Sequence, residues 1–123
     1  MDENLRWDCD KDGCYKRLCL PKWHVLNDAL SPCRMTDLDG IVERRGRFLV
    51  VEWKAPGASV KRAQERALDA LNRLDQFTVA IVHGTSDPME PKLYRVPYGQ
   101  DVPTDLADFQ QRCSRWFQQA SDR

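Results

Sequence analysis

The residues of this sequence that could do chemistry lie close together in residues 36–57. Asp39 precedes a short run rich in β-branched residues, and Glu52 and Lys54 lie inside a second run of this kind. Side chains alternate between the two faces of a strand, so Glu52 and Lys54 are predicted to point to the same face. Two acids and a lysine on one face could bind a divalent metal ion, or they could form a structural ion pair.

A β-hairpin is predicted to position these residues. Residues 41–43 and 48–53 are predicted strands, because β-branched and aromatic residues are frequent in both. Residues 44–47 between them are polar and include a glycine, which can adopt the positive φ of a tight turn. Because a hairpin returns on itself, Asp39 is expected beside Glu52.

A helix is predicted after the hairpin, with Ser59 as its N-cap and its end near Asp75. Gln64 lies within the apolar stripe of this helix. A buried amide needs hydrogen-bond partners. Either the backbone supplies them, or Gln64 faces the side of the sheet that carries Glu52 and Lys54.

The remaining chain predicts two more strands and a second helix. Residues 77–83 are almost all apolar or β-branched, which is typical of a central strand covered on both faces. Residues 84–91 are a predicted loop, and residues 92–98 are a predicted half-exposed edge strand. An amphipathic helix follows, with Thr104 as its cap. This order predicts an α/β fold, a mixed β-sheet flanked by helices in a single small domain.

His83 ends the predicted central strand and has two interpretations. It could act as a general base, since histidine titrates near neutral pH. It could also be a packed side chain, and this interpretation is favoured because no sequence neighbour is placed to orient its ring.

Composition restricts the partners and the compartment. The chain has 123 residues, which suit one domain. Its 19 Lys and Arg balance its 19 Asp and Glu, so binding to nucleic acid would require a local basic surface. The acidic, polar N-terminus does not resemble an export signal, and no apolar run approaches the roughly 20 residues of a membrane span. A cytoplasmic protein without membrane contact is expected.

Four of the five cysteines precede the hairpin. Without an export signal they are predicted to be reduced thiols. Their spacing is wider than the close pairs of most zinc knuckles. They could still form a structural zinc site, or they could pack individually as small apolar groups. The four are Cys9, Cys14, Cys19 and Cys33.

The order of these motifs resembles the PD-(D/E)XK nuclease superfamily, and in particular its small phage and prophage nucleases. The resemblance rests on Asp39 in an Asp-Gly pair, the hairpin, the triplet from Glu52 to Lys54, and the helix with Gln64. Leu38 replaces the proline that often stands before the aspartate. The resemblance implies a restriction-endonuclease-like fold with a nuclease core over residues 36–123. Residues 1–35 would be a Cys-rich, irregular or helical N-terminal segment of the same domain.

The superfamily implies metal-dependent hydrolysis of phosphodiester bonds in nucleic acid, with DNA favoured, in a bacterial host cell. Asp39 and Glu52 would hold Mg²⁺ or Mn²⁺, together with the backbone carbonyl of Trp53. Lys54 would stabilise charge on the phosphate or contact the nucleophile, and Gln64 would position the phosphate or the attacking water. In the superfamily an N-terminal helix also contributes an acid in some members. The candidates are Glu3, Asp8 and Asp28.

Phosphate contacts position a nucleic-acid strand without reading its sequence, and six basic residues near the predicted site are candidates for them. They are Arg34, Arg44, Arg45, Arg47, Lys61 and Arg62.

The sequence leaves two alternatives to a stand-alone enzyme open. The chain could be a nuclease-fold binding or inhibitory protein that acts on a host defence or DNA-processing complex. It could also be a subunit that works as a homo-oligomer or with a partner protein. Metal-dependent cleavage would support the enzyme, and tight binding to a host protein without cleavage would support the inhibitor.

Overall fold

The structure is a computed structural model that describes residues 23–33 and 35–122. The chain divides into two compact units, Met1–Asp37 and Leu38–Arg123. The described part of the first unit holds a 3₁₀ helix, Trp23–Leu26, that continues directly into a short α-helix, α1, Asn27–Leu30.

The second unit is built on a five-stranded mixed sheet in the order β1-β2-β3-β4-β5. Strands β2 and β3 are parallel, and the other neighbouring pairs are antiparallel. Helix α2, Arg62–Asn72, connects β2 to β3, and helix α3, Leu106–Ser121, follows β5. This unit is therefore an α/β structure with a mixed sheet flanked by helices. The strands are β1, Gly40–Arg44; β2, Arg47–Lys54; β3, Phe77–Ser86; β4, Met89–Arg95; and β5, Val102–Pro103.

The predicted hairpin is confirmed as β1 and β2. Arg45 and Gly46 form its turn with φ values of 52° and 79°. Two consecutive positive φ angles are typical of the type I′ turn, whose twist matches that of the flanking strands. The amide of Gly46 also donates to Glu43 Oε2 at 2.7 Å. The turn fixes a register in which Gly40 pairs with Val51, so the open end of the hairpin brings Asp39 towards the residue after Val51.

The core lies between the sheet and α2. Val50 of β2 pairs with Val79 of β3, and both pack with Ile81 and Leu68, all four at most 1% exposed. Side chains alternate along a strand, so Glu52 lies on the same face as Val50. Truncation of Leu68 to alanine at this position should cost about 2–5 kcal/mol.

Helix α3 covers the opposite face of the sheet. It buries Phe109 and Ala120. Its N-cap is Asp105, which accepts a hydrogen bond from the amide of Asp108 at 2.8 Å. The predicted cap, Thr104, is one residue too early, and its hydroxyl instead donates to Asp108 Oδ2 at 2.7 Å. No helix in the described part of the chain is both long enough and apolar enough to cross a membrane.

The predicted start of α2 is wrong. The helix begins at Arg62, with Lys61 as an N-cap that makes no side-chain hydrogen bond. Ser59 lies two residues before the observed N-cap and does not cap the helix. It follows Ala58, whose carbonyl oxygen lies 2.6 Å from His83 Nε2.

The predicted loop over residues 84–91 is also wrong. Strand β3 continues to Ser86 and β4 begins at Met89, so most of this segment is a hairpin. Gly84 permits the pairing, because a Cβ atom at this position would lie 2.3 Å from the carbonyl oxygen of Glu90. The glycine therefore marks a close approach of two strands and not a loop.

Candidate active site

The open end of the β1–β2 hairpin brings Asp39 onto the strand that carries Glu52 and Lys54. Asp39 Oδ2 accepts a hydrogen bond from the amide of Trp53 at 2.7 Å. The side chain of Asp39 thus continues the β1–β2 ladder beyond the last backbone pair, Gly40 with Val51. This bond fixes one carboxylate next to the strand position of the other.

Glu52 is buried, with 3% of its side chain exposed. Its Oε1 atom accepts a hydrogen bond from Gln64 Nε2 at 2.5 Å and lies 3.6 Å from Lys54 Nζ. Its Oε2 atom is buried and has no hydrogen-bond partner within the described structure. An ionised carboxylate in this state carries a desolvation penalty that Lys54 and Gln64 offset only in part.

The electrostatics of the site reflect this incomplete set of partners. Burial, and then the negative charge of Asp39, raise the pKa of Glu52 from 4.5 to about 7, while Lys54 and the bond from Gln64 act in the opposite direction. Two ionised carboxylates can only accept hydrogen bonds. Glu52 and Asp39 can therefore share a bond only when one of them carries a proton.

A divalent cation could take the place of that proton. The orphaned Oε2 of Glu52 and its raised pKa fit a cation held between this carboxylate and that of Asp39, and oxygen ligands are those that Mg²⁺ and Mn²⁺ prefer. No group of three or more His, Cys, Asp and Glu side chains that could hold a metal occurs in residues 23–33 and 35–122. A site here would rest on two carboxylates, the predicted carbonyl of Trp53, and waters.

Gln64 reaches Glu52 because the first turn of α2 is clamped to the sheet. Its neighbour Glu65 makes two hydrogen bonds of 2.7 Å with the guanidinium of Arg95 on β4, and it also accepts the amide of Tyr98 at 3.0 Å. The bond from Arg95 lowers the pKa of Glu65. This clamp has no signal in the sequence, since its partners are 30 residues apart and no local pattern joins them.

His83 is a second residue near the site that has an unexpected partner. It is buried in β3, where it pairs in register with Lys54 of β2. The predicted packing is thus accompanied by a specific contact, from Nε2 to the carbonyl of Ala58 at 2.6 Å. The sequence shows a histidine at the end of a strand, but no local pattern indicates that it contacts Ala58.

The three arginines of the hairpin turn bond to the protein itself. Arg44 Nε donates to the hydroxyl of Ser121 at 3.0 Å, and Arg45 donates to the carbonyl of Ser121 at 2.7 Å. Arg47 donates to the carbonyl of Asp75 at 3.1 Å. These arginines fix the end of α3 and the start of β3, and a role in binding nucleic acid stays a prediction.

The turn and the carboxylates lie at opposite ends of the hairpin. Arg47 and Glu52 are five positions apart on β2, which corresponds to roughly 17 Å. Lys61 and Arg62 are closer in the chain to the site residues, since they are exposed within one turn of Gln64. Neither makes an ion pair within the described structure. These two are the better placed of the predicted phosphate contacts.

A large polar cavity of about 370 Å³ does not coincide with this site. Arg47, Asp75 and Trp116 are among its lining residues, and neither predicted carboxylate takes part. The unsatisfied charge of Glu52, and not the size of a cavity, identifies the candidate site.

The predicted zinc site and the predicted N-terminal acid stay predictions. Cys33 is a free, exposed thiol, and Asp28 belongs to α1 of the first unit. The remaining candidates lie outside the described residues: Cys9, Cys14, Cys19, Arg34, Glu3 and Asp8.

In comparisons of the chain with known proteins, no family model, no curated protein and no solved structure matches it. The chemistry of the site is therefore the basis of the functional assignment.

Proposed function

We propose that this protein is a metal-dependent nuclease of the PD-(D/E)XK superfamily that hydrolyses phosphodiester bonds, with DNA as the favoured substrate. One observation carries the proposal. Glu52 is a buried carboxylate with an orphaned oxygen and a pKa raised to about 7 beside Asp39. A carboxylate pair of this kind is suited to a cation, which can replace the shared proton, and the two residues match the positions of the superfamily's metal ligands.

The order of elements supports a restriction-endonuclease-like fold. Asp39 precedes β1, Glu52 and Lys54 lie on β2, and α2 then leads to a strand parallel to β2. This parallel crossover places Gln64 over the same face as Glu52.

Each side chain has a chemical task in the proposal. Asp39 and Glu52, with the carbonyl of Trp53, would hold Mg²⁺ or Mn²⁺. The bound ion polarises the scissile phosphate and lowers the pKa of a water molecule. Lys54, which lies 3.6 Å from Glu52, brings positive charge to the place where negative charge develops on the phosphate. Gln64 occupies Oε1 of Glu52 and leaves Oε2 for the ion.

Contacts with the phosphate backbone are assigned to the start of α2. Lys61 and Arg62 supply two exposed positive charges, and the N-cap makes no side-chain hydrogen bond, so the first amides of the helix are open to an anion. A local positive surface is required because the chain as a whole has no net charge.

A cleavage assay tests the proposal. Linear and circular, single- and double-stranded DNA and RNA are incubated with Mg²⁺, Mn²⁺ or EDTA. The wild type is compared with Asp39→Asn, Lys54→Ala and Glu43→Gln. The last is a matched control, since Glu43 lies on the same hairpin and accepts a bond from Gly46 at the turn end. Metal-dependent cleavage by the wild type and the control, absent in the two folded site variants, is expected. Equal cleavage by all four proteins would refute the proposal.

A nuclease-fold binding or inhibitory protein is the second candidate. Its support is the outer strand β1, which exposes one apolar side chain on each face, Ile41 at 55% and Val42 at 48%. Exposed apolar strands are suited to partner proteins. Metal binding without cleavage on any substrate, with a stable complex formed through β1, would favour this candidate.

A further inference from the structure

The segment between Lys54 and Arg62, residues 55–61, is here called the connector. Its first part is a turn in which the amide of Ala58 donates to the carbonyl of Ala55 at 3.0 Å, with Gly57 at a φ of 77°. Val60 is half-buried and packs against the core, and the other residues of the connector are exposed. The turn from Ala55 to Ala58 therefore has no buried side chain to hold it in place.

Both ends of the connector carry side chains of the proposed site. Lys54 precedes it, and Gln64 lies in the first turn of the helix that follows it. The two side chains approach the same atom, Glu52 Oε1, at 3.6 Å and 2.5 Å. A movement of the connector would act on the two anchors of these side chains, the β2–β3 ladder at Lys54 and the first turn of α2, which Glu65 holds to Arg95.

His83 joins the sheet to the middle of the connector. Its Nε2 atom lies 2.6 Å from the carbonyl oxygen of Ala58. The histidine is only 9% exposed and is held by β3, where it pairs in register with Lys54. The bond therefore connects a rigid central strand to an exposed segment.

The geometry also defines which nitrogen of His83 is the donor. A carbonyl oxygen can only accept, so Nε2 must carry a hydrogen. The Nδ1 atom is buried and has no hydrogen-bond partner within the described structure. A proton on Nδ1 would bury both a charge and an unpaired donor, which is costly. The arrangement that satisfies this contact thus has its hydrogen on Nε2, where it donates to the carbonyl of Ala58.

We propose that His83 is a positioning residue of the site: its bond to Ala58 fixes the connector, so that Lys54 and Gln64 both remain on Glu52. The effect on cleavage rests on the proposed function. The effect on the motion of the connector does not, and the two can be measured separately.

The first experiment measures hydrogen exchange of the Ala58 amide, which is bonded to Ala55. His83→Leu removes the donor, whereas His83→Gln keeps an N–H of similar reach. Exchange should be about 10-fold faster in His83→Leu, as expected for the net loss of one hydrogen bond, and His83→Gln should restore most of the protection. Unchanged exchange in a folded His83→Leu protein, or no rescue by glutamine, would overturn the inference.

The second measurement is made on the wild type and does not depend on the folding of a variant. Long-range ¹H–¹⁵N spectra should show a hydrogen on Nε2 of His83, the nitrogen that lies 2.6 Å from the carbonyl oxygen of Ala58. A bare Nε2 would overturn the inference, because the ring could not then donate to Ala58.

The third measurement uses cleavage. The value of kcat should fall by about 10-fold in His83→Leu and recover in His83→Gln, and the shape of the pH profile should not change. Loss of one limb of the profile would identify His83 as a general base and overturn the inference. If the wild type cleaves nothing, the proposed function fails while the exchange experiment still decides the role of His83.

Discussion

Glu52 of β2 and Glu65 of α2 are two carboxylates that lie at the same face of the sheet, and their surroundings differ sharply. Glu52 pairs in register with Ile81, and Ile81 pairs with Arg95, so Glu52 and the partner of Glu65 lie in one row across the strands. Glu65 meets Arg95 through two bonds of 2.7 Å, and its pKa is lowered. Glu52 has Lys54 at 3.6 Å, and its pKa is raised.

The difference separates a residue that supports the fold from one suited to binding. Both oxygens of Glu65 have partners, and the pair ties α2 to β4. Glu52 has an oxygen without a partner and a second carboxylate beside it. The same chemical group therefore stabilises the protein in one place and leaves a charge for a ligand to complete in another.

The largest expected effect is the loss of cleavage in Glu52→Gln. Cleavage should fall by about 1,000-fold, since a bound metal contributes several kcal/mol to catalysis. The free energy of unfolding at pH 8 should not decrease, because the substitution removes a repulsive charge. Cleavage rates and urea unfolding check both parts. A variant that is active, or inactive only because it is unfolded, would contradict the comparison.

The pH dependence of stability should differ between the two carboxylates. The pKa of Glu52 is raised from 4.5 to about 7, so the folded state holds a proton that the unfolded state releases. Stability from this group is present below pH 4.5 and is lost as the pH rises to about 7, by at most about 3 kcal/mol. The lowered pKa of Glu65 acts in the opposite sense. Its stabilisation is present above its unfolded pKa and is lost as the pH falls through the folded value.

Urea unfolding from pH 4 to pH 8 tests these signs. The wild type should lose stability relative to Glu52→Gln as the pH rises, and the difference should disappear at the acidic end. A constant difference over this range would show that the charge of Glu52 is already compensated in the folded protein.

Breaking the Glu65 clamp should have a smaller effect, and mainly on stability. Arg95→Lys cannot make the paired bonds and should cost about 1–3 kcal/mol of unfolding free energy. Glu65→Gln should behave similarly. Thermal or urea unfolding measures the cost. A loss of cleavage without any loss of stability would instead place the clamp in the reaction.

The smallest effects are expected from single phosphate contacts. For duplex DNA, the combined variant Lys61→Ala with Arg62→Ala should reduce the slope of log binding constant against log salt concentration by about 2. Arg47→Ala should leave that slope almost unchanged, because its guanidinium is bonded to the carbonyl of Asp75 at the other end of the hairpin. Salt-dependent binding measurements decide between the two surfaces, and an equal reduction in both proteins would contradict the assignment.

The hairpin and the placement of its acids could be predicted from the sequence, because both follow from local rules. Alternation along β2 places Glu52 and Lys54 on one face, and the glycine of the turn fixes where the chain reverses. The amide of Gln64 within an apolar stripe also indicated a polar partner, which the structure shows to be Glu52.

The contacts that position these residues could not be predicted, since they join distant parts of the chain. The clamp between Glu65 and Arg95 spans 30 residues, and the bond from His83 to Ala58 spans 25. The helix start was also misplaced by two residues, since Ser59 is the predicted cap and Lys61 is the observed one. A capping residue in the sequence indicates where a helix can begin, and tertiary contacts decide where it does.

The central claim is that Asp39 and Glu52 hold a divalent cation, and calorimetric titration with Mn²⁺ tests it most directly. We expect one binding site in the wild type at pH 8, weaker binding at pH 6 because protons compete at Glu52, and no binding by Glu52→Gln. Glu43→Gln should bind like the wild type. Equal binding by Glu52→Gln, or none by the wild type at pH 8, would contradict the claim.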